Sequence, residues 1–326
     1  MKIAVIGLGS MGKRRIRLLK QAFPEIKLIG IDRRLDRREE VEQLFRIECV
    51  TDLVKLSHEK LEAVIISTSP LTHEHLIKQA LEMGAHVFTE INLINDYYEE
   101  VMTLSEKQKL HLYLSSTFLH RREVQYLESK IEQDKHVSYR YHVGQYLPDW
   151  HPWESYKDYF VSNKSTNGCR EIFAIELPWI SSVFGEITSV KVSRSKISTL
   201  DIDFPDSYSL ILEHKSGIIG TLDINIVSRI AKRELQIIGE NTQIEWGGTP
   251  DSLSEWSPID SKQRSVKLYD IFNNNSNYSA NIIEDAYQEE LIEFISLIRN
   301  DIQDVKYSFA RDKKIIDWIN FIEEGI

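Results

Sequence analysis

As far as Ser115 the apolar positions fall in short runs separated by stretches of helical period. Lys2–Ile6, Lys27–Ile31, Ile47–Val50, Ala63–Ser67, His86–Thr89 and His111–Ser115 read as strands. Ala63–Ser67 is apolar up to its last residue, as a strand buried on both faces must be. After the first strand Ile16, Leu19 and Phe23 recur at helical spacing, with Lys13, Arg14, Arg15 and Arg17 on other faces. An Arg- and Glu-rich helix ends near Phe45, and Thr51-Asp52-Leu53 can cap the next one. His73–Met83 is a helix stopped by Gly84, and Tyr97–Lys109 is another. Strand and helix in alternation predict a parallel sheet.

Beyond Ser115 the period changes. Residues 121–133 read as a helix, Val137–Val143 as an alternating strand, and Glu171–Val183 as a helix, with an aromatic loop from Gly144 to Tyr159. Consecutive strands follow at 188–197, 207–213, 218–227, 233–238 and 243–246, with Lys215-Ser216-Gly217 as a hairpin turn. That is an antiparallel sheet with one face on helices. Ile218, Leu222, Ile224 and Ile226 are predicted to cover its other face against a second subunit, giving a homodimer or homotetramer. Residues 249–281 are polar and read as loop, and Glu284–Arg299 and Arg311–Glu323 as closing amphipathic helices.

The net charge of −10 disfavours non-specific nucleic-acid binding. The short basic clusters Arg33-Arg34 and Arg37-Arg38 read as a solvated face. Cys49 and Cys169 are too few and too far apart for a disulfide framework or a zinc site, so no metal is expected. No apolar run is long enough to span a bilayer, and the N-terminus enters a strand at once, which predicts a soluble cytoplasmic chain.

The densest chemistry lies in the first dozen residues. Gly7, Gly9 and Gly12 complete G-x-G-x-x-G between a strand and a helix. The first allows the tight turn, the second lets a pyrophosphate approach the backbone, and the third lets the helix pack on the strand. Leu8, Ser10 and Met11 complete the loop, and the helix N-terminus faces the phosphates. Asp32 ends the second strand roughly 20 residues on, where an acid accepts from a ribose hydroxyl. A tight turn in another α/β protein is the plain alternative. Together these features predict a Rossmann domain over residues 1–120 that binds NAD in preference to NADP, with Arg33 tempering that choice. Residues 121–326 are assigned to a substrate-binding and oligomerising α+β domain with an open, mainly antiparallel sheet.

With Gly7–Gly12, Ser67-Thr68-Ser69-Pro70 followed by His73, and Gly84-Ala-His-Val-Phe-Thr-Glu90, the chain resembles the Gfo/Idh/MocA (glucose–fructose oxidoreductase-like) family over essentially its whole length. The resemblance implies an NAD(P)-dependent oxidoreductase acting on a sugar or sugar-like molecule. It also adds Ser67, Thr68, Ser69, Pro70, His73 and Glu90 to the cofactor site. Two departures stand out. The family's Glu-Lys-Pro is Glu90-Ile91-Asn92 here, and its Asp-x-Gly-x-His-x-x-Asp aligns with Glu171 to Pro178, with Ile175 in place of the histidine. The aromatic loop, running on to Gly168-Cys-Arg-Glu171, is similar to a subgroup associated with surface-polysaccharide and nonulosonate gene clusters.

With the usual lysine and histidine missing, Lys164, Glu171 and His151 are the candidate proton-transfer groups. Trp153, Tyr156 and Tyr159 are candidates to stack on a sugar ring, and Arg170 to hold a carboxylate or phosphate. The competing assignment is a cofactor-binding scaffold or regulator without turnover. A third is non-redox chemistry. His120 is left open between pocket and surface, and His58 and His214 read as solvent-facing.

Overall fold

The computed structural model describes residues 1–151, 154–257, 259–269 and 283–324. The chain divides into two compact units: Met1–Thr117 with Ala286–Lys314, and Phe118–Asp285 with Ile315–Ile326.

The first unit is a parallel sheet. Its strands are β1 (Lys2–Ile6), β2 (Lys27–Ile31), β3 (Glu48–Val50), β4 (Ala63–Ile66), β5 (His86–Thr89) and β6 (Leu112–Leu114), in the order β3-β2-β1-β4-β5-β6. Helices α1 (Ser10–Ala22), α2 (Leu35–Phe45), α3 (His73–Glu82) and α4 (Tyr98–Gln108) connect them. The order reverses between β1 and β4, which opens a crevice at the carboxyl ends of the strands where doubly wound sheets take ligands. The core is built from Ile3, Val5, Leu8, Ile16, Leu19, Ile65 and Phe88, all without solvent exposure.

Among the described residues the second unit holds α5 (Arg122–Gln133), β7 (Val137–Tyr146), α6 (Gly168–Phe184), β8 (Ile187–Ser195), β9 (Ser207–His214), β10 (Ile219–Asn225), β11 (Val227–Gly239), β12 (Gln243–Trp246), β13 (Ser254–Ser257) and β14 (Lys262–Ser265). The strands form one mainly antiparallel sheet in the order β14-β13-β12-β11-β7-β10-β9-β8. The closing helices are α7 (Glu284–Arg299) and α8 (Phe309–Glu324). Among the described residues no helix is long and apolar enough to cross a membrane.

Three expectations are corrected here. First, the strands at 218–227 and 233–238 do not pair. β7 lies between them, parallel to β10 and antiparallel to β11, so an element far away in sequence takes the central place. Second, β13 and β14 occupy part of the segment read as loop. Their sequences, SEWS and KQRS, hold a single apolar side chain, Trp256, so no apolar period marks them. β14 is exposed throughout, and its Lys262 and Arg264 suit an edge strand. Residues 270–281 of that segment lie outside the described residues.

Third, Ile218, Leu222, Ile224 and Ile226 are buried within this one chain. They point inward. The outward face carries Ile211, Ile219 and Ile238 among polar side chains, with Ile219 and Ile238 in register on either side of Ser138. His214 is likewise buried rather than solvent-facing. Its Nδ1 donates to the Gly185 carbonyl at 2.6 Å, and its Nε2 accepts from the Tyr139 hydroxyl at 2.9 Å. His120 is buried.

Candidate functional site

In the first unit Gly7 leaves β1 at φ +89°, and a Cβ there would lie 2.5 Å from the Ser67 carbonyl oxygen. A Cβ on Gly12 would lie 1.8 Å from the Gly7 carbonyl oxygen, so only glycine lets α1 close on the loop. Gly9 differs: the nearest atom to a Cβ there is Arg37 Nη1, at 3.7 Å. The space above Gly9 is open on the protein side. Gly9 is also the N-cap of α1, which has no side-chain cap and no acid in its first turn. Its free N–H groups and dipole are left for an anion. Leu8 is buried, and its N–H donates to Asp32 Oδ2 at 2.8 Å. Ser10 is exposed, and Met11 is half-buried with its sulfur accepting from Arg14.

Asp32 also accepts from the Arg34 N–H at 2.9 Å, which leaves its carboxylate capacity for two hydroxyls. Arg33, the basic residue singled out from sequence, is exposed. Arg37, assigned to a solvated face, instead lies 3.5 Å from Asp32 Oδ2 and beside Gly9. It is the better placed guanidinium.

After β4, Ser67 donates to Glu90 Oε1 at 3.3 Å, Thr68 bonds Thr72, and Ser69-Pro70 starts a short 3-10 turn. His73 has no exposure. Its Nδ1 lies 2.5 Å from Asn92 Oδ1 and its Nε2 3.1 Å from the Thr68 carbonyl, so the ring braces the loop from behind, and burial pushes its pKa down. Asn92, which stands in the family's Glu-Lys-Pro segment, is thereby locked inside.

Glu90 is no free loop acid. The Arg15 Nε and Nη2 donate to its two oxygens at 2.8 and 3.0 Å. Arg15 and Arg14 are both buried, and Arg15 reaches Glu290 of α7 at 2.8 Å. Sequence reasoning missed this group. The assignment of Arg14 and Arg15 to other faces than Ile16 and Leu19 is corrected here: both are buried, Arg15 falls within the arc of Gly12, Ile16 and Leu19, and Glu290 lies one turn from both Ala286 and Phe294.

In the second unit the segment before α6 is pinned by capping. Asn167 Oδ1 accepts from the Arg170 N–H at 2.8 Å, and Thr166 donates to the Phe160 carbonyl at 2.6 Å. This places Glu171 in the first turn of α6. Its Oε2 is sealed from solvent without a hydrogen-bond partner, and burial pushes its pKa up to about 7. The Trp150 indole N–H is sealed in the same way. Tyr159 is close enough that Glu171, after burial, raises its pKa. The His151 ring lies 4.3 Å from that of Tyr159, and its Nδ1 is 2.6 Å from Glu154 Oε1.

The remaining candidates lie elsewhere. The Tyr156 hydroxyl accepts from the Asp201 N–H at 3.1 Å. Lys164 is exposed, and among the described residues its ammonium has no recorded partner. Arg170 is buried and committed to Glu323 and Asn320 of α8, which leaves its guanidinium a structural tie and not an open anion site. Trp153 lies outside the described residues. Glu176 was also missed. Fully buried, it bonds Arg233 at 2.9 Å, and Tyr141 and Trp179 at 2.7 Å each. Among the described residues no three His, Cys, Asp or Glu side chains are grouped to hold a metal.

Fold and loop geometry define a dinucleotide-binding Rossmann unit. Residues 1–112 match the model of GFO_IDH_MocA, the oxidoreductase family with an NAD-binding Rossmann fold. No curated protein matches the sequence.

Solved structures share the fold over the full length at low identity. An oxidoreductase from Agrobacterium radiobacter, solved with NAD+, L-tartaric acid and magnesium, superposes with a TM-score of 0.83 at 13% identity, covering 99% of this chain and 95% of that one. The WlbA dehydrogenase from Bordetella pertussis, with NADH and UDP-GlcNAcA, gives 0.80 at 14%, covering 100% and 97%. UDP-N-acetylglucosamine 3-dehydrogenase GnnA from Acidithiobacillus ferrooxidans gives 0.75 at 15%, also covering 100% and 97%.

Proposed function

We propose that the protein is a cytoplasmic NAD-dependent oxidoreductase acting on a sugar, amino sugar or sugar acid, in the chemistry of surface-polysaccharide building blocks. The Gly7–Gly12 loop and the uncapped α1 hold the pyrophosphate, and Asp32 takes the adenosine ribose. When bound, NAD supplies the hydride acceptor. The hydroxyl being oxidised must lose a proton, and Glu171 is the group to take it. The observation that carries this reading is the sealed, unpartnered Glu171 oxygen with a pKa near neutrality. The Trp150 N–H is a donor suited to a neighbouring sugar oxygen, and Tyr159 to the ring face. Two of the neighbouring folds are named or crystallised for UDP-amino-sugar chemistry, which supports this substrate class.

The first test is titration with NAD and NADP by calorimetry, followed by absorbance assays with a panel of sugars and UDP-sugars. NAD is expected to bind at least about tenfold more tightly than NADP, because Asp32 repels a 2′-phosphate. Tighter NADP binding would assign Arg37, and not Asp32, the deciding role. Tight NAD binding with no turnover on any substrate favours the second reading, a cofactor-binding scaffold, for which Ile91, Ile175 and the locked Asn92 speak. For assembly, a homodimer or homotetramer is expected through the outward face bearing Ile211, Ile219 and Ile238. Light scattering at micromolar concentration checks it, and Ile219→Lys should shift the mass toward a monomer.

A further inference from the structure

The carboxyl edge of the parallel sheet holds a closed charge network. Arg15 has no exposure. It gives Nε and Nη2 to Glu90 after β5, Nη2 also to Glu290 at 2.8 Å and to Ser115 Oγ after β6 at 3.1 Å, and Nη1 to the Tyr287 carbonyl at 3.1 Å. Its guanidinium centre lies 4.6 Å from the Phe88 ring centroid. Glu290, fully buried, accepts in addition from Ser115 Oγ at 2.8 Å, the Ser116 N–H at 2.7 Å and Thr117 Oγ at 3.1 Å. Burial, with Glu90 nearby, pushes its carboxyl pKa up, and Arg15 and the Ser115 hydroxyl work against that rise. Glu90 takes one further donor, Ser67 Oγ after β4. Two carboxylates share the Arg15 guanidinium, and the buried Arg14 guanidinium lies over the Tyr287 ring that Arg15 also faces, 4.6 and 5.2 Å from its centroid. Of Arg15, Glu90 and Glu290, only Glu90 retains solvent contact, 13% of its side chain.

This network joins the loops after β4, β5 and β6. In a sheet of this order those loops border the second half of a bound dinucleotide, where the nicotinamide lies. We propose that the negative charge at Glu90 sets the preference of the site for the oxidised over the reduced cofactor. This rests on the dinucleotide reading above. Oxidised nicotinamide carries a positive ring and reduced nicotinamide a neutral one, while the rest of the molecule is the same. A fixed anion close to the ring in a partly dry site therefore favours NAD+ over NADH. Arg15 is the positioning residue: its two-point contact holds both oxygens of Glu90.

The test is the ratio of the dissociation constants for NADH and NAD+, each titrated by calorimetry on the folded protein, with thermal melts as the check on folding. Glu90→Gln keeps an oxygen for Arg15 and removes one charge. It is expected to move the ratio about tenfold toward NADH. Glu290→Gln should move it in the same direction. Ser115→Ala removes hydrogen bonds but no charge, and should leave the ratio unchanged. A purely structural role would weaken both affinities together. The proposal falls if Glu90→Gln folds, binds both forms and keeps the wild-type ratio. A wild type that binds neither form overturns the cofactor reading and this one with it.

Discussion

Glu171→Gln is expected to lower turnover at least about a hundredfold, the range for loss of a general base, with NAD affinity unchanged. The side chain keeps its shape and loses the proton acceptor. Wild-type turnover in the oxidising direction should rise with pH through about 7, because below that value the carboxyl is protonated and can take nothing. The rise should vanish in the variant.

Stability gives an independent readout. The folded pKa of Glu171 lies above its ordinary 4.5, so between about 4.5 and 7 the folded state holds a proton that the unfolded chain releases. Wild-type stability therefore falls as pH rises through that window, by about 1.4 kcal/mol per unit at most. Glu171→Gln lacks this fall, and above pH 7 it should melt no lower than the wild type. A variant less active and less stable would point to lost packing in place of lost chemistry.

Arg15→Ala is expected to destabilise the first unit by about 3–5 kcal/mol, the cost of breaking a buried ion pair from one side. Glu290, with no exposure, would be left without its cation, and Glu90 would lose both guanidinium bonds. Urea unfolding monitored by circular dichroism checks this. Acidification should recover part of the loss by protonating Glu290, and adding Glu290→Gln to Arg15→Ala should recover more than additivity allows, by about 0.5–3 kcal/mol. A loss under 1 kcal/mol would show that water enters and solvates the acids.

The parallel sheet was legible because its strands are apolar runs bounded by loops, and β1, β2 and β5 start and end where the sequence places them. The glycine loop was legible because each glycine answers a steric demand. The centre of the second sheet was not, since pairing of β7 with β10 and β11 depends on contacts roughly 80 to 100 residues apart that no local period encodes. The direction of Ile218–Ile226 was misread for a related reason: alternation marks two faces but does not say which meets the helices. At the site, sequence named Glu171 and Glu90 but not their surroundings. Helical charge reads as solvated by default, so Arg15, Glu290 and Glu176 were passed over, although each sits on an apolar face.

The division of the chain has a consequence in time. The first unit needs Ala286–Lys314, and Arg15 needs Glu290. During synthesis the helix carrying Arg15 is made first, and its second carboxylate some 275 residues later. At roughly 5–20 residues per second the nascent sheet waits on the order of tens of seconds for that partner. A fragment ending at residue 120, the boundary read from sequence, would hold all six parallel strands and none of α7. Such a fragment is expected to unfold at lower urea than the whole chain, because its buried Arg15 lacks the Glu290 carboxylate.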